Sequence, residues 1–232
     1  MRDPGTPGAE VIDISVPLNP ATPVWPGSEP VGIERTADFP EDDVRISRLT
    51  LNSHAGTHID APGHFLPQGA LVESIPLSTL IGPCLVLDVS EKRRRRPDLI
   101  GAEDLKNAGL APPPAAGTPD PAAERVLLRT RAEGHWDEIR PFDASFPGLD
   151  PEAADYLVRA GVLLVGLDAP SIEPYATEEK RTHHILLGAG IVLLETLRLT
   201  HVAPGTYELI CLPLRLEGVE GSPVRAVLRA VA

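Results

Sequence analysis

Proline accounts for 26 of the 232 residues, and no other feature limits the fold as much. Each proline fixes φ and removes a backbone donor, which confines it to loops, turns, first helical turns and strand edges. Much of the chain must therefore be rigid loop between short elements. The remaining composition, 42% hydrophobic and 23% charged, is that of an ordinary globular protein. A chain of this length forms one sizeable domain, burying about 70–75% of the surface its unfolded state exposes.

Periodicity supplies the elements. Val11–Val16 and Val44–Leu51 alternate apolar and polar residues and read as strands, the second leading straight into a histidine cluster. Between them, residues 17–30 hold five prolines and read as loop. Leu80–Val89, Val126–Arg129, Val162–Leu167, Tyr207–Leu214 and Val224–Val231 complete the strands. The unbroken Leu85-Val86-Leu87 run suggests burial on both faces. Asp150 followed by Pro151 starts a helix that Gly161 ends. Ile185–Leu187 and Ile191–Leu194 are apolar segments interrupted by Gly188 and Gly190. Residues 91–124, with a short helix at Ala102–Ala108, read as a surface excursion because apolar strands flank them. Many strands, few helices and much loop predict a β-rich α/β domain without internal repeats.

A formal net charge of -12 argues against nucleic-acid binding, which requires clustered Lys and Arg. The one basic run, Lys92 and Arg93–Arg96, reads as a solvated loop. Two cysteines, Cys84 and Cys211, are too few for a disulfide framework and fit a reducing, cytoplasmic setting. Residues 1–10 lack the apolar core of a signal peptide, and no apolar run reaches the roughly 18 residues of a membrane span.

The chemistry concentrates in His54-Ala-Gly-Thr-His58-Ile-Asp60-Ala-Pro-Gly-His64, which holds three of the seven histidines. Imidazole and carboxylate are the usual ligands of divalent transition metals. His58 and Asp60, two positions apart, point to one side of an extended segment. Gly56 permits a tight turn before them, and the Gly and Pro residues exclude the helical His-Glu-x-x-His arrangement. Two remote candidates could complete a shell: a histidine at 183 or 184, between which spacing does not choose, and Glu195, a carboxylate ending an apolar run. A buried carboxylate costs several kcal/mol unless paired or metal-bound. Asp168, just before Ala169 and Pro170, reads as a turn former.

The run from His54 to Phe65 resembles the signature of the metal-dependent cyclase-like hydrolase family, which includes bacterial kynurenine formamidases (arylformamidases) and isatin hydrolases. The resemblance extends to Asp13-Ile-Ser15, Pro23-Val-Trp25-Pro-Gly27, Asp168-Ala-Pro-Ser171 and the stretch from His183 to Glu195. Residues 91–124 resemble the family least. The Pro-x-Trp-Pro-Gly pattern is similar to that of the formamidases, whereas Thr57-His58-Ile59 resembles the wider family. The resemblance implies a single domain over residues 1–232 of the swivelling β/β/α type, assembling as a homodimer or tetramer. It also implies a binuclear centre, two zinc ions per subunit with manganese as the other option. His54, His58 and Asp60 would hold one ion. Asp60 would bridge to a second ion held by His183 and Glu195, and His64 would be the catalytic acid/base.

The implied reaction is hydrolysis of N-formylkynurenine to kynurenine and formate. A bound divalent ion lowers the pKa of its water from about 16 to about 7, and Trp25 offers a face for the aryl ring. The alternatives are a cyclic amide or lactone substrate such as isatin, and a structural metal module. Structural zinc sites are usually closed and thiolate-rich, unlike this cluster.

Overall fold

The computed structural model describes residues 10–90, 98–111, 120–130 and 142–231. Among these the chain forms β1 (Val11–Asp13), β2 (Gly32–Ala37), β3 (Ile46–Thr50), β4 (His58–Asp60), α1 (Leu77–Leu80), β5 (Ile81–Asp88), β6 (Leu99–Ile100) and α2 (Ala102–Asn107). It continues with β7 (Arg125–Arg129), β8 (Gly148–Leu149), α3 (Pro151–Ala160), β9 (Leu164–Leu167), α4 (Arg181–Gly188), β10 (Val192–Glu195), β11 (Gly205–Ile210), β12 (Gly221–Pro223) and β13 (Val227–Ala230).

Nine strands make one sheet in the order β1-β13-β11-β5-β7-β9-β10-β4-β12. Its centre, β5-β7-β9-β10, is parallel, and parallel neighbours require crossovers. The α3 and α4 crossovers, together with α2, form a layer on one face. Both flanks are antiparallel. The sheet curls back on itself: Ser15, just past β1, bridges to Leu197, just past β10, and Arg198 N donates to Ile14 O at 2.9 Å.

Two apolar cores result, one on each face. Strand β7 shows the division residue by residue. Val126 and Leu128 pack with Val165, Leu167, Leu157 and Leu186 under the helices. Leu127 points the other way, joining Ile14, Ile59, Leu194 and Leu228 inside the curl. Period-two alternation into two apolar environments explains why these strands read as continuous hydrophobic runs.

Helix α3 has the bounds its capping residues predict. Asp150 accepts a hydrogen bond from Ala153 N at 2.9 Å, and Gly161 closes the helix at φ 77°. Three other elements differ from the sequence reading. Ile46–Thr50 does not enter the main sheet; it forms a separate hairpin with β2, exposed along its whole length. The apolar segment around Ile185–Leu187 is the end of helix α4. Its buried residues are Thr182, His183, Leu186 and Leu187, a helical stripe hidden in the sequence because half of it is polar. Within the stretch read as an excursion, Ile100, Leu105 and Leu110 are buried in the helix-side core. The arginine run Arg93–Arg96 lies outside the described residues.

Candidate metal centre and active-site cavity

Strand β4 is held between β10 and β12. Its register sets Glu195 opposite His58 and Leu193 opposite Asp60. Directly opposed residues share a face, and Leu193 belongs to the helix-side core. The side chains of His58, Asp60 and Glu195 therefore emerge toward the helices, while Ile59 fills the curl. Helix α4 presents His183 to the same place. The loop leading into β4 is tightly tied. Gly56 adopts φ 62°, and a Cβ there would meet Leu18 Cδ2 at 2.6 Å. The Thr57 hydroxyl accepts from Val16 N at 2.9 Å and donates to Thr196 O at 2.6 Å.

The cluster has two overlapping halves. Ligand atoms of His54, His58 and Asp60 lie within 4.8 Å of one another, as do those of Asp60, His183 and Glu195. Asp60 belongs to both. Its Oδ1 lies 2.7 Å from His54 Nδ1 and 3.3 Å from His58 Nε2. Glu195 places Oε2 3.5 Å from His58 Nε2 and Oε1 3.6 Å from His183 Nε2. Asp60 Oδ2 is buried without a hydrogen-bond partner. Two buried carboxylates ringed by imidazoles, one with an orphaned oxygen, make a donor set that fits divalent cations. Burial would lower the pKa of His58, but hydrogen bonds and charge from Asp60 and Glu195 outweigh it and push it up to about 10. His183 is likewise raised against burial to about 9, by Glu173 and Glu195. Burial would raise Asp60, yet the His54 and His58 hydrogen bonds hold it well below the usual carboxylate range.

Each imidazole has a second contact that orients it. His58 Nδ1–H donates to Gly56 O at 2.8 Å. Glu220 Oε1, itself accepting from Ser53 Oγ at 2.7 Å, lies 3.2 Å from His54 Nε2. Glu173 Oε2 lies 3.2 Å from His183 Nδ1, in ion-pair range but without hydrogen-bond alignment. Glu195 accepts from Ile172 N at 2.6 Å.

The cluster opens into a cavity of about 350 Å³. His64, at the end of a 3-10 turn (Pro62–His64), lines it and stacks on His54 with ring centroids 4.0 Å apart. It belongs to neither ligand group. Burial lowers its pKa, outweighing the attraction of Asp60, so the imidazole is neutral at neutral pH and able to accept a proton. Trp25 lines the wall, 5.1 Å from Tyr175 and 5.3 Å from Phe142 between ring centroids.

The structure thus brings His54, His58, Asp60, His64, His183, Glu195 and Trp25 to one place. It separates His183, buried in the site, from His184, which is exposed. Asp168 stands apart as a fully buried acceptor for Thr130 N and Oγ1 at 2.9 and 2.5 Å. Sequence reasoning missed Glu173, Glu220, Lys180, Phe142 and Tyr175. Glu173 lies two residues beyond the Asp168–Ser171 motif, a proximity that hints at a role; the others carry no local signal.

Fold and site together define an enzyme of the hydrolase type, with a side-chain cluster suited to a divalent metal. The model of the Cyclase family matches residues 12–174, and the chain belongs to that family. It is 43% identical to a kynurenine formamidase of Salinibacter ruber over 222 residues, 94% of this chain and 97% of that protein. It is 32% identical to a solved structure described as a potential metal-dependent hydrolase with cyclase activity, with a TM-score of 0.77 over 97% of this chain and 100% of the other. An isatin hydrolase bound to the product analogue thioisatinate shares the fold at 22% identity, with a TM-score of 0.81 over 97% and 93% of the two chains.

Proposed function

We propose that this chain hydrolyses an N-formyl aryl amine, N-formylkynurenine, to the free amine and formate. The observation that carries this reading is a buried His/Asp/Glu cluster, shared through Asp60, that opens into a cavity bearing a separate imidazole and an aromatic wall. The 43% identity to a kynurenine formamidase supports the choice of substrate.

In this reading His54, His58 and Asp60 hold one divalent ion, and Asp60, His183 and Glu195 hold another. Zinc suits the nitrogen and oxygen donors, and manganese is the other candidate. Such ions would supply Lewis acidity that polarises the carbonyl and acidifies water. The protein supplies the rest. Trp25, beside Phe142 on the cavity wall, stacks the aryl ring, worth about 0.5–1.5 kcal/mol beyond area burial. His64 takes a proton from the attacking water and returns it to the amine nitrogen as the C–N bond breaks. The protein is further read as a cytoplasmic homo-oligomer, dimer or tetramer. The unpaired thiols of Cys84 and Cys211 and the exposed Ile33, Ile46 and Leu49 on the β2–β3 hairpin support this.

The test is formate release from N-formylkynurenine by zinc- or manganese-loaded and chelator-treated protein, with isatin in parallel. Metal-dependent turnover of the formamide in excess of isatin is expected. Turnover of isatin alone would transfer the chain to the cyclic-amide reading, and activity undiminished by complete metal removal would refute the metal assignment.

A further inference from the structure

Among the described residues lining the cavity, Lys180 is the one lysine or arginine. It sits just before α4 with φ 49° and ψ 37°, a left-handed conformation that disfavours any residue with a Cβ. Glycine or asparagine would occupy this position at lower cost, so a long cationic side chain in this strained conformation at the cavity points to use of the side chain itself. Its ammonium is under-engaged. The amine has three donors, yet its contacts are a long 3.4 Å bond to Tyr175 O and a 3.9 Å approach to Glu173 Oε1. The side chain is 27% exposed. Tyr175 is also the residue whose ring meets Trp25 at 5.1 Å. The ammonium therefore lies at the cavity edge between the Tyr175 backbone and Glu173, whose other oxygen approaches His183 Nδ1 at 3.2 Å.

We propose that Lys180 is a specificity residue that binds the carboxylate of an aryl-formamide amino acid, selecting it over neutral formanilides. This rests on the formamidase reading. Trp25 and Lys180 line the same cavity, so a ring against Trp25 with its formamide at the metal cluster can present the carboxylate of its zwitterionic amino-acid side chain, several bonds away, to Lys180. A charge-assisted hydrogen bond there steers the substrate and fixes which end enters first.

The test is a specificity ratio: kcat/KM for N-formylkynurenine over kcat/KM for formanilide, with metal content measured alongside. Lys180→Gln is expected to lower the ratio about tenfold, mainly through KM, as loss of a partly exposed charged contact would do. Lys180→Arg should keep most of it. Lys180→Gly, which the positive φ favours, removes the ammonium without threatening the fold and should match Lys180→Gln. Equal losses on both substrates, or loss of bound metal, would show that Lys180 merely supports Glu173 and α4, and would overturn the assignment. A wild-type protein that binds metal but turns over neither formamide would instead bring down the formamidase reading, and this assignment with it.

Discussion

Gly221 tests the centre without replacing any proposed ligand. It lies on β12 opposite Asp60, and a Cβ built there would meet His54 Cε1, Nε2 and Nδ1 at 2.6, 3.0 and 3.1 Å. Three ring atoms at similar distances mean that the imidazole lies flat against the glycine, so rotation about its own axis gives no relief. Ordinary carbon contact begins near 3.5 Å, and the ring must therefore retreat by about 1 Å. His64 stacks on the same ring at 4.0 Å, so the shift disturbs the proposed acid/base as well. Overpacking of this kind costs about 1–3 kcal/mol, and a misplacement of about 1 Å costs about 100-fold in rate. Gly221→Ala is expected to lower kcat/KM about 100-fold and to weaken metal binding at least about tenfold in a titration of the metal-free protein. Gly188→Ala, with no atom within 4 Å of the added Cβ, is the control and should behave as wild type. If the damage passes through His54, adding Gly221→Ala to His54→Ala causes little further loss. Wild-type metal affinity and turnover in Gly221→Ala would refute the placement of His54 in the centre. Fully additive losses would refute the route.

Other outcomes follow from the same geometry. His58→Ala, which removes an imidazole facing both carboxylates, should abolish high-affinity metal binding and nearly all turnover; metal analysis of the purified variant checks it. His64→Ala should keep its metal while kcat falls about 10²–10⁴-fold, and metal loss in that variant would make His64 a ligand. On Asp88, burial acts to raise the pKa, but bonds from Ser90 and Arg129 prevail and hold it at about 2 against an ordinary 3.8. A depressed carboxylate pKa stabilises fully above pH 3.8 and loses that contribution as pH falls through about 2. Denaturant unfolding should therefore find Asp88→Asn about 1 kcal/mol less stable than wild type at neutral pH, after discounting for solvent screening, with the difference shrinking as pH falls toward about 2 and vanishing only below it.

The amino-acid order by itself determined what is local. Caps at Asp150 and Gly161 bound α3, because capping acts within one turn. His58 and Asp60 share a face because alternation along a strand has period two. The density of imidazole and carboxylate from His54 to His64 announced metal chemistry before any fold was known. Tertiary structure decided what depends on register and packing. Glu195 joined the cluster because β10 pairs with β4 so that it faces His58. His183 was separated from His184 by the face that α4 turns to the sheet, which no spacing rule reveals. Glu220 acquired meaning only from a neighbour distant in sequence, approaching His54 across 166 positions, and Glu173 and Lys180 from the turn that folds them against His183 and the cavity. Local preferences reach a few residues along the chain, whereas the pairing of β4, β10 and β12 follows from burying two apolar cores at once, and that global condition brings the ligand atoms within reach of one another.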